Sequence, residues 1–158
     1  MKPLPLILKV RDVRRECGLE TTSYLEIGCG QHHTFRGVPV PHKVGGDPRR
    51  GGTLRMTSDQ FFASHEGERC DRIFVDGLHE RYQVDRDIKN ALAALNPRGL
   101  VLVHDCLPRR KNEQLSVDEF VVVYQRQPSG GKTWCGDVWK AVLGLRLAIW
   151  PNLCVLYV

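Results

Sequence analysis

Tyr24-Leu25-Glu26-Ile27-Gly28-Cys29-Gly30 reads as a short apolar strand running straight into a glycine turn. Tyr, Leu and Ile suit a pleated, buried surface, and the glycines fall where a backbone must turn sharply or let a ligand approach. The same grammar repeats outward. Lys43 to Gly46 is a second short strand and Thr53 to Met56 a third, while Arg72 to Val75 and Leu100 to Val103 are buried runs ending at Asp76 and at His104-Asp105. Helical patterns lie between them. Thr57 or Ser58 caps a helix over Gln60 to His65. Arg81 to Leu95 sets Val84, Ile88, Leu92 and Leu95 on one face before Asn96-Pro97-Arg98-Gly99 stops it. Strands alternating with helices favour an α/β fold with a mainly parallel sheet.

Toward the ends the pattern continues. Leu6, Ile7, Val10, Val13 and Cys17 recur at helical spacing, and Leu153 to Val158 reads as a final strand. Val117 to Tyr124 is helix or strand, because its apolar run has no single period; Phe120 to Tyr124 is either a core element or a homodimer surface. Gln127 to Cys135 is a Pro/Gly loop, and Asp137 caps a helix through Leu147. A chain of 158 residues, 42% apolar and 26% charged, is expected to form one globular domain over 1–158. No apolar run approaches the ~20 residues that span a bilayer, and no cleavable export signal is visible, so no membrane association is expected. The six cysteines form no Cys-x-x-Cys pair and are expected to be reduced thiols of a cytoplasmic protein. A net charge of +5 is compatible with an anionic partner. The basic pairs Arg14-Arg15, Arg49-Arg50 and Arg109-Arg110 are scattered, however, and carry no interleaved aromatics, so nucleic acid is not the expected partner.

Open parallel sheets bind ligands beyond the carboxyl ends of their strands, and three features fall there. The first is Glu26, Gly28, Cys29 and Gly30. The second is Asp47, nineteen residues after Gly28, placed to accept hydrogen bonds from ribose hydroxyls. The third is Thr57-Ser58-Asp59, where polar groups meet an adenine or ribose edge. His33 stands where a dinucleotide fingerprint needs its third glycine, which counts against NAD or FAD. Gly131-Lys132-Thr133 lacks both the upstream glycine and the strand of a P-loop.

An acidic residue followed by Gly-x-Gly, here Glu26, Gly28 and Gly30, resembles the first motif of class I S-adenosylmethionine-dependent methyltransferases. Tyr24 to Gly28, Lys43 to Pro48, Met56 to Phe62, Phe74 to His79, Val103 to Pro108 and Gly136 to Lys140 resemble the recurring segments of a small bacterial branch, the methyltransferase 24 or macrocin-type group. The resemblance implies a Rossmann-like three-layer α/β/α sandwich with a mainly parallel sheet, and S-adenosylmethionine as methyl donor; against the family's seven strands, the sheet here is expected to be either abbreviated at its C-terminal end or short of a closing strand. It implies that Asp76 and Asp105 hold Mg²⁺, with Asp76 also beside the cofactor, although Cys106 replaces the third oxygen ligand. His79 stands at the offset where the catechol type carries its base, and His104 competes for that role. Asp76-Gly77-Leu78-His79 lacks the Pro-Pro-aromatic signature of amino-methylating enzymes, which favours an oxygen acceptor on a small polar metabolite such as a sugar. His32, where the family has a further glycine, favours an alternative: a catalytically inactive methyltransferase-like binding or assembly module. An RNA methyltransferase, suggested by charge alone, ranks third.

Overall fold

β1 (Ser23–Ile27) lies inside a four-stranded sheet in a computed structural model that describes residues 20–31, 33–126 and 134–148. The expected opening helix, His32, the Gly131-Lys132-Thr133 segment and the expected final strand lie outside those residues. The chain runs from β1 through the short helix α1 (His33–Gly37) to β2 (His42–Gly46) and α2 (Ser58–Ser64). It continues through β3 (Cys70–Val75), α3 (Arg81–Ala93) and β4 (Leu95–Val103), then a 3-10 turn (Lys111–Gln114), α4 (Val117–Arg126) and α5 (Val138–Leu147). All three pairings are parallel, in the order β2-β1-β3-β4. From β1 the chain lays β2 on one side, then returns to lay β3 and β4 on the other. That reversal places the topological switch point at the carboxyl ends of β1 and β3, where such sheets leave a crevice.

Two compact units make up the chain: Met1–Gly77 with Asp87–Val103, and Leu78–Arg86 with His104–Val158. The first holds the whole sheet. Its strands are apolar on both faces, as expected when a parallel sheet is covered on each side. Tyr24 and Phe74 pack with Phe35 and Val38 on one face, and Leu25, Ile27, Ile73 and Val75 pack with Phe61 and Ala91 on the other. Phe61 and Ala91 are the contributions of α2 and α3 to that second cluster.

The described elements depart from the sequence reading in several places. Thr53 to Met56 is not a strand: Leu54 makes one isolated parallel bridge to Gly46. Thr53 and Leu54 both donate to the Gly45 carbonyl, which closes a turn instead of extending a ladder. β4 begins earlier than Leu100, because the Asn96-Pro97-Arg98-Gly99 stop is a bulge inside it, with Arg98 at φ +62 and the register slipping between Cys70 and Arg72. Asp137 stands at the N-cap of α5 but makes no side-chain cap bond to that helix's backbone, meeting only the Lys140 ammonium at 3.3 Å; its carboxylate caps α3 instead, accepting the Arg81 N–H at 2.6 Å.

The reading also gave no helix at α1, and it placed Leu95, which opens β4, in the Arg81 helix; other parts of it hold. Thr57 caps α2 through a reciprocal capping box with Gln60. The ambiguous Val117 to Tyr124 run lies within helix α4, where Val121, Val122 and Val123 are exposed and Phe120 stacks on Trp134. No helix among the described residues is long and apolar enough to cross a membrane.

Candidate functional site

The glycine turn after β1 ties three strand ends together. The Gly28 N–H donates to Gly46 O at 2.9 Å and the Asp76 N–H to Ile27 O at 2.8 Å. The two glycines do different work. A Cβ on Gly28 would lie 2.0 Å from the Asp76 carbonyl oxygen, so this position exists for the close approach of the chain to itself. A Cβ on Gly30 would meet nothing within 4 Å among the described residues, which leave space there for a ligand.

Asp47 sits beside that opening. One carboxylate oxygen accepts the Gly30 N–H at 2.9 Å, and the other accepts the N–H groups of Arg49 and Arg50, each at 2.8 Å. Partial burial pushes its pKa up, but the three N–H donors outweigh that and hold the carboxyl below the ordinary aspartate range. A carboxylate offers about four acceptor positions, so one remains for a ribose hydroxyl. The Arg55 guanidinium donates to the Asp47 carbonyl at 3.1 Å. Thr57 is committed to its cap, with Ser58 and Asp59 in the first turn of α2. A carboxylate, a backbone turn and open space suit the nucleoside end of S-adenosylmethionine.

Glu26 and Cys29 point elsewhere. β1 is covered on both faces, so alternation sends the Glu26 side chain into the protein, where it accepts the Tyr24 hydroxyl. Burial pushes the Glu26 carboxyl up to about 7 despite that bond, and the charge of Asp76 adds to the rise. Cys29 is buried, donates its thiol to the Glu26 carbonyl, and is pushed up to about 12 by burial first and then by Glu26. Only their backbones are left to line a ligand.

The Glu26 shift gives stability a pH dependence. A carboxyl raised from 4.5 to about 7 binds its proton more tightly when folded. Its contribution is therefore full below about pH 4.5 and is lost as pH rises to about 7, a change on the order of 3 kcal/mol. Glu26→Gln is expected to remove that slope. Urea titrations at pH 4.5 and 7.5 check it: equal slopes in the two proteins would show that Glu26 ionises normally.

In the second unit, Asp105 is the hub. Its Oδ2 lies 3.2 Å from His104 Nδ1 and 3.4 Å from His79 Nε2, and its Oδ1 accepts the Cys135 thiol at 3.6 Å. Burial and the nearby Asp105 charge push Cys135 up to about 12, so the thiol keeps its proton and donates. Asp105 itself has φ +53, a left-handed conformation uncommon outside glycine.

His79 is gripped from several sides. Its ring lies 5.2 Å from that of Trp134, whose indole N–H is anchored on Leu115 O. Its carbonyl accepts the Asp137 N–H, and Gly136 comes so close that a Cβ there would lie 2.1 Å from the same oxygen. Trp134, Gly136 and Asp137 thus serve this site without being named as site residues by motif. Gly136-Asp137 stood out as a family segment, and only the fold shows that it holds His79.

The Mg²⁺ expectation meets an ill-suited donor set here. Two imidazoles and a protonated thiol surround Asp105, and Cys106 follows it with its thiol also raised by burial. Mg²⁺ takes oxygen ligands, so these neighbours do not fit it. Asp76 belongs to the first unit, at the end of β3, where its N–H is bonded to Ile27.

A family profile described as a methyltransferase domain matches residues 25–106, over half of the chain. No curated protein matches it. The matched span runs from β1 through the glycine turn, Asp47 and the paired ends of β3 and β4. On that match and this parallel sheet, the chain belongs to the methyltransferase-domain family of class I S-adenosylmethionine-dependent methyltransferases.

Proposed function

We propose that this protein moves a methyl group from S-adenosylmethionine to a hydroxyl oxygen of a small polar molecule, a sugar or comparable metabolite. The observation that carries the reading is the space that the described residues leave over Gly30 beside the pinned Asp47 carboxylate. S-adenosylmethionine, consumed in each turnover, supplies an already activated methyl group. The chain's own tasks are to hold the nucleoside, align the acceptor and remove a proton. A hydroxyl needs a proton acceptor to become a good nucleophile, and the second unit offers two imidazoles on one carboxylate. The Asp76-Gly77-Leu78-His79 segment, with no Pro-Pro-aromatic signature, also supports oxygen over adenine nitrogen. The four free thiols among the described residues support a reducing, cytoplasmic setting.

Calorimetric titration with S-adenosylmethionine and its demethylated product tests the reading. Micromolar binding is expected, followed by product release with a panel of sugars and catechols. No binding to well-folded protein would reject it. The donor set around Asp105 favours one rival, a non-catalytic binding module, which would bind the donor and turn over none of the panel.

A further inference from the structure

We propose that His104 accepts the hydroxyl proton, oriented by Asp105, and that His79 holds the Asp105 carboxylate instead of acting as base. This rests on the O-methylation reading above.

An imidazole that gives one ring nitrogen to a carboxylate carries its proton there and leaves the other nitrogen as the basic site. His104 turns Nδ1 to Asp105, which makes Nε2 its basic nitrogen, and its side chain is 35% exposed. His79 does the reverse. Its Nε2 faces Asp105, its Nδ1 is buried, and its side chain is only 18% exposed beside Trp134. A proton acceptor must meet the substrate, and His104 is the ring with the exposure to do so.

The backbone supports this assignment. Consecutive residues leaving a strand normally point to opposite sides, so His104 and Asp105 would not face each other. The left-handed φ of +53 at Asp105 folds the carboxylate back onto the His104 ring. Left-handed conformations at non-glycine residues cost free energy and gather at functional sites. Two further contacts, His79 Nε2 at 3.4 Å and the Cys135 thiol at 3.6 Å, keep the carboxylate in that place.

In the step itself, the acceptor oxygen forms a bond to the methyl carbon while the bond from that carbon to the sulfonium sulfur breaks. The breaking pair stays on sulfur, which becomes neutral. The hydroxyl proton passes to His104 Nε2, and the imidazolium is balanced by Asp105 until the proton leaves to water.

The full chain is tested with His104→Gln, Asp105→Asn and His79→Gln. Asn is chosen because it tolerates the left-handed backbone. His104→Gln is expected to lower kcat by about 100- to 1000-fold with KM changed less than about threefold. Asp105→Asn is expected to lower kcat by roughly 10- to 100-fold and His79→Gln by less than about tenfold. Full activity should survive EDTA. Loss of turnover in His79→Gln with His104→Gln near wild type would overturn the proposal, as would activity lost to EDTA and restored by Mg²⁺. Long-range ¹⁵N–¹H spectra of the histidines decide the pairing even if no donor binds and the functional reading fails. Neutral His104 protonated at Nδ1 in the wild type, shifting in Asp105→Asn, supports the proposal; His104 protonated at Nε2 overturns it.

Discussion

Replacing Asp47 with alanine is expected to weaken S-adenosylmethionine binding by more than about 100-fold, or roughly 3 kcal/mol. The carboxylate does two things at once. Through Gly30 it fixes the glycine turn, and through Arg49 and Arg50 it fixes the loop that follows β2. Truncation leaves three N–H groups without their charged acceptor, and hydrogen bonds to charged groups are the strong class, at about 1.5–3 kcal/mol each before they share losses. A loss of about 3 kcal/mol in stability would lower Tm by roughly 6–12 °C in a chain of this size. On the proposed reading, the ligand loses its ribose acceptor in addition. Asp47→Asn separates the two effects, because one amide oxygen can still accept from one side of the loop. It should recover part of the Tm and little of the affinity. If Asp47→Ala bound the donor as tightly as wild type, Asp47 would be a loop anchor alone.

Gly28→Ala is expected to be the most damaging single substitution in the glycine turn, at more than about 4 kcal/mol, enough to leave little soluble folded protein. Two costs combine. A side chain at φ +84 is strained in itself by about 1–2 kcal/mol. The new Cβ would also lie 2.0 Å from the Asp76 oxygen and 2.4 Å from its carbonyl carbon. Those are backbone atoms bonded into the end of β3, so no side-chain rotation relieves the clash. Gly30→Ala is the control. It has φ +48 and no described residue within 4 Å of the added Cβ, so it should cost only about 1 kcal/mol of stability. Its effect should fall on donor affinity instead, since the methyl occupies the space open to the ligand. Thermal unfolding and calorimetry on the pair distinguish these outcomes. Similar destabilisation in both would mean that the turn relaxes and that neither glycine is placed for close approach.

The sheet was legible in the sequence because its signals are local. Short apolar runs broken by glycine, Val84 and Ile88 on one helical face, and the Thr57-to-Gln60 capping box are all written within a few residues of the elements they form. The ends of the strands, and so the region of the site, follow from the same runs. Local signals also explain the misplacements. Asn96-Pro97-Arg98-Gly99 has the composition of a stop, and the neighbouring β3 absorbs it as a bulge. Asp137 looks like a cap, and only the arrival of Arg81 beside it decides which helix it caps.

What each site residue faces was beyond the sequence. β1 is buried on both faces, so its pattern does not alternate and gives no sign that Glu26 turns inward to Tyr24. Gly28 and Gly30 are the same letter, yet Asp76, forty-eight residues further along the chain, crowds one and leaves the other open. By its offset from Asp76 the sequence put His79 ahead of His104, and the reversal proposed above draws on the dihedral angle at Asp105 and the packing of Trp134, which no local pattern shows. Periodicity and capping act over a few residues and set the elements; ring orientation, burial and close approach depend on partners distant in sequence, and only the folded chain brings those together.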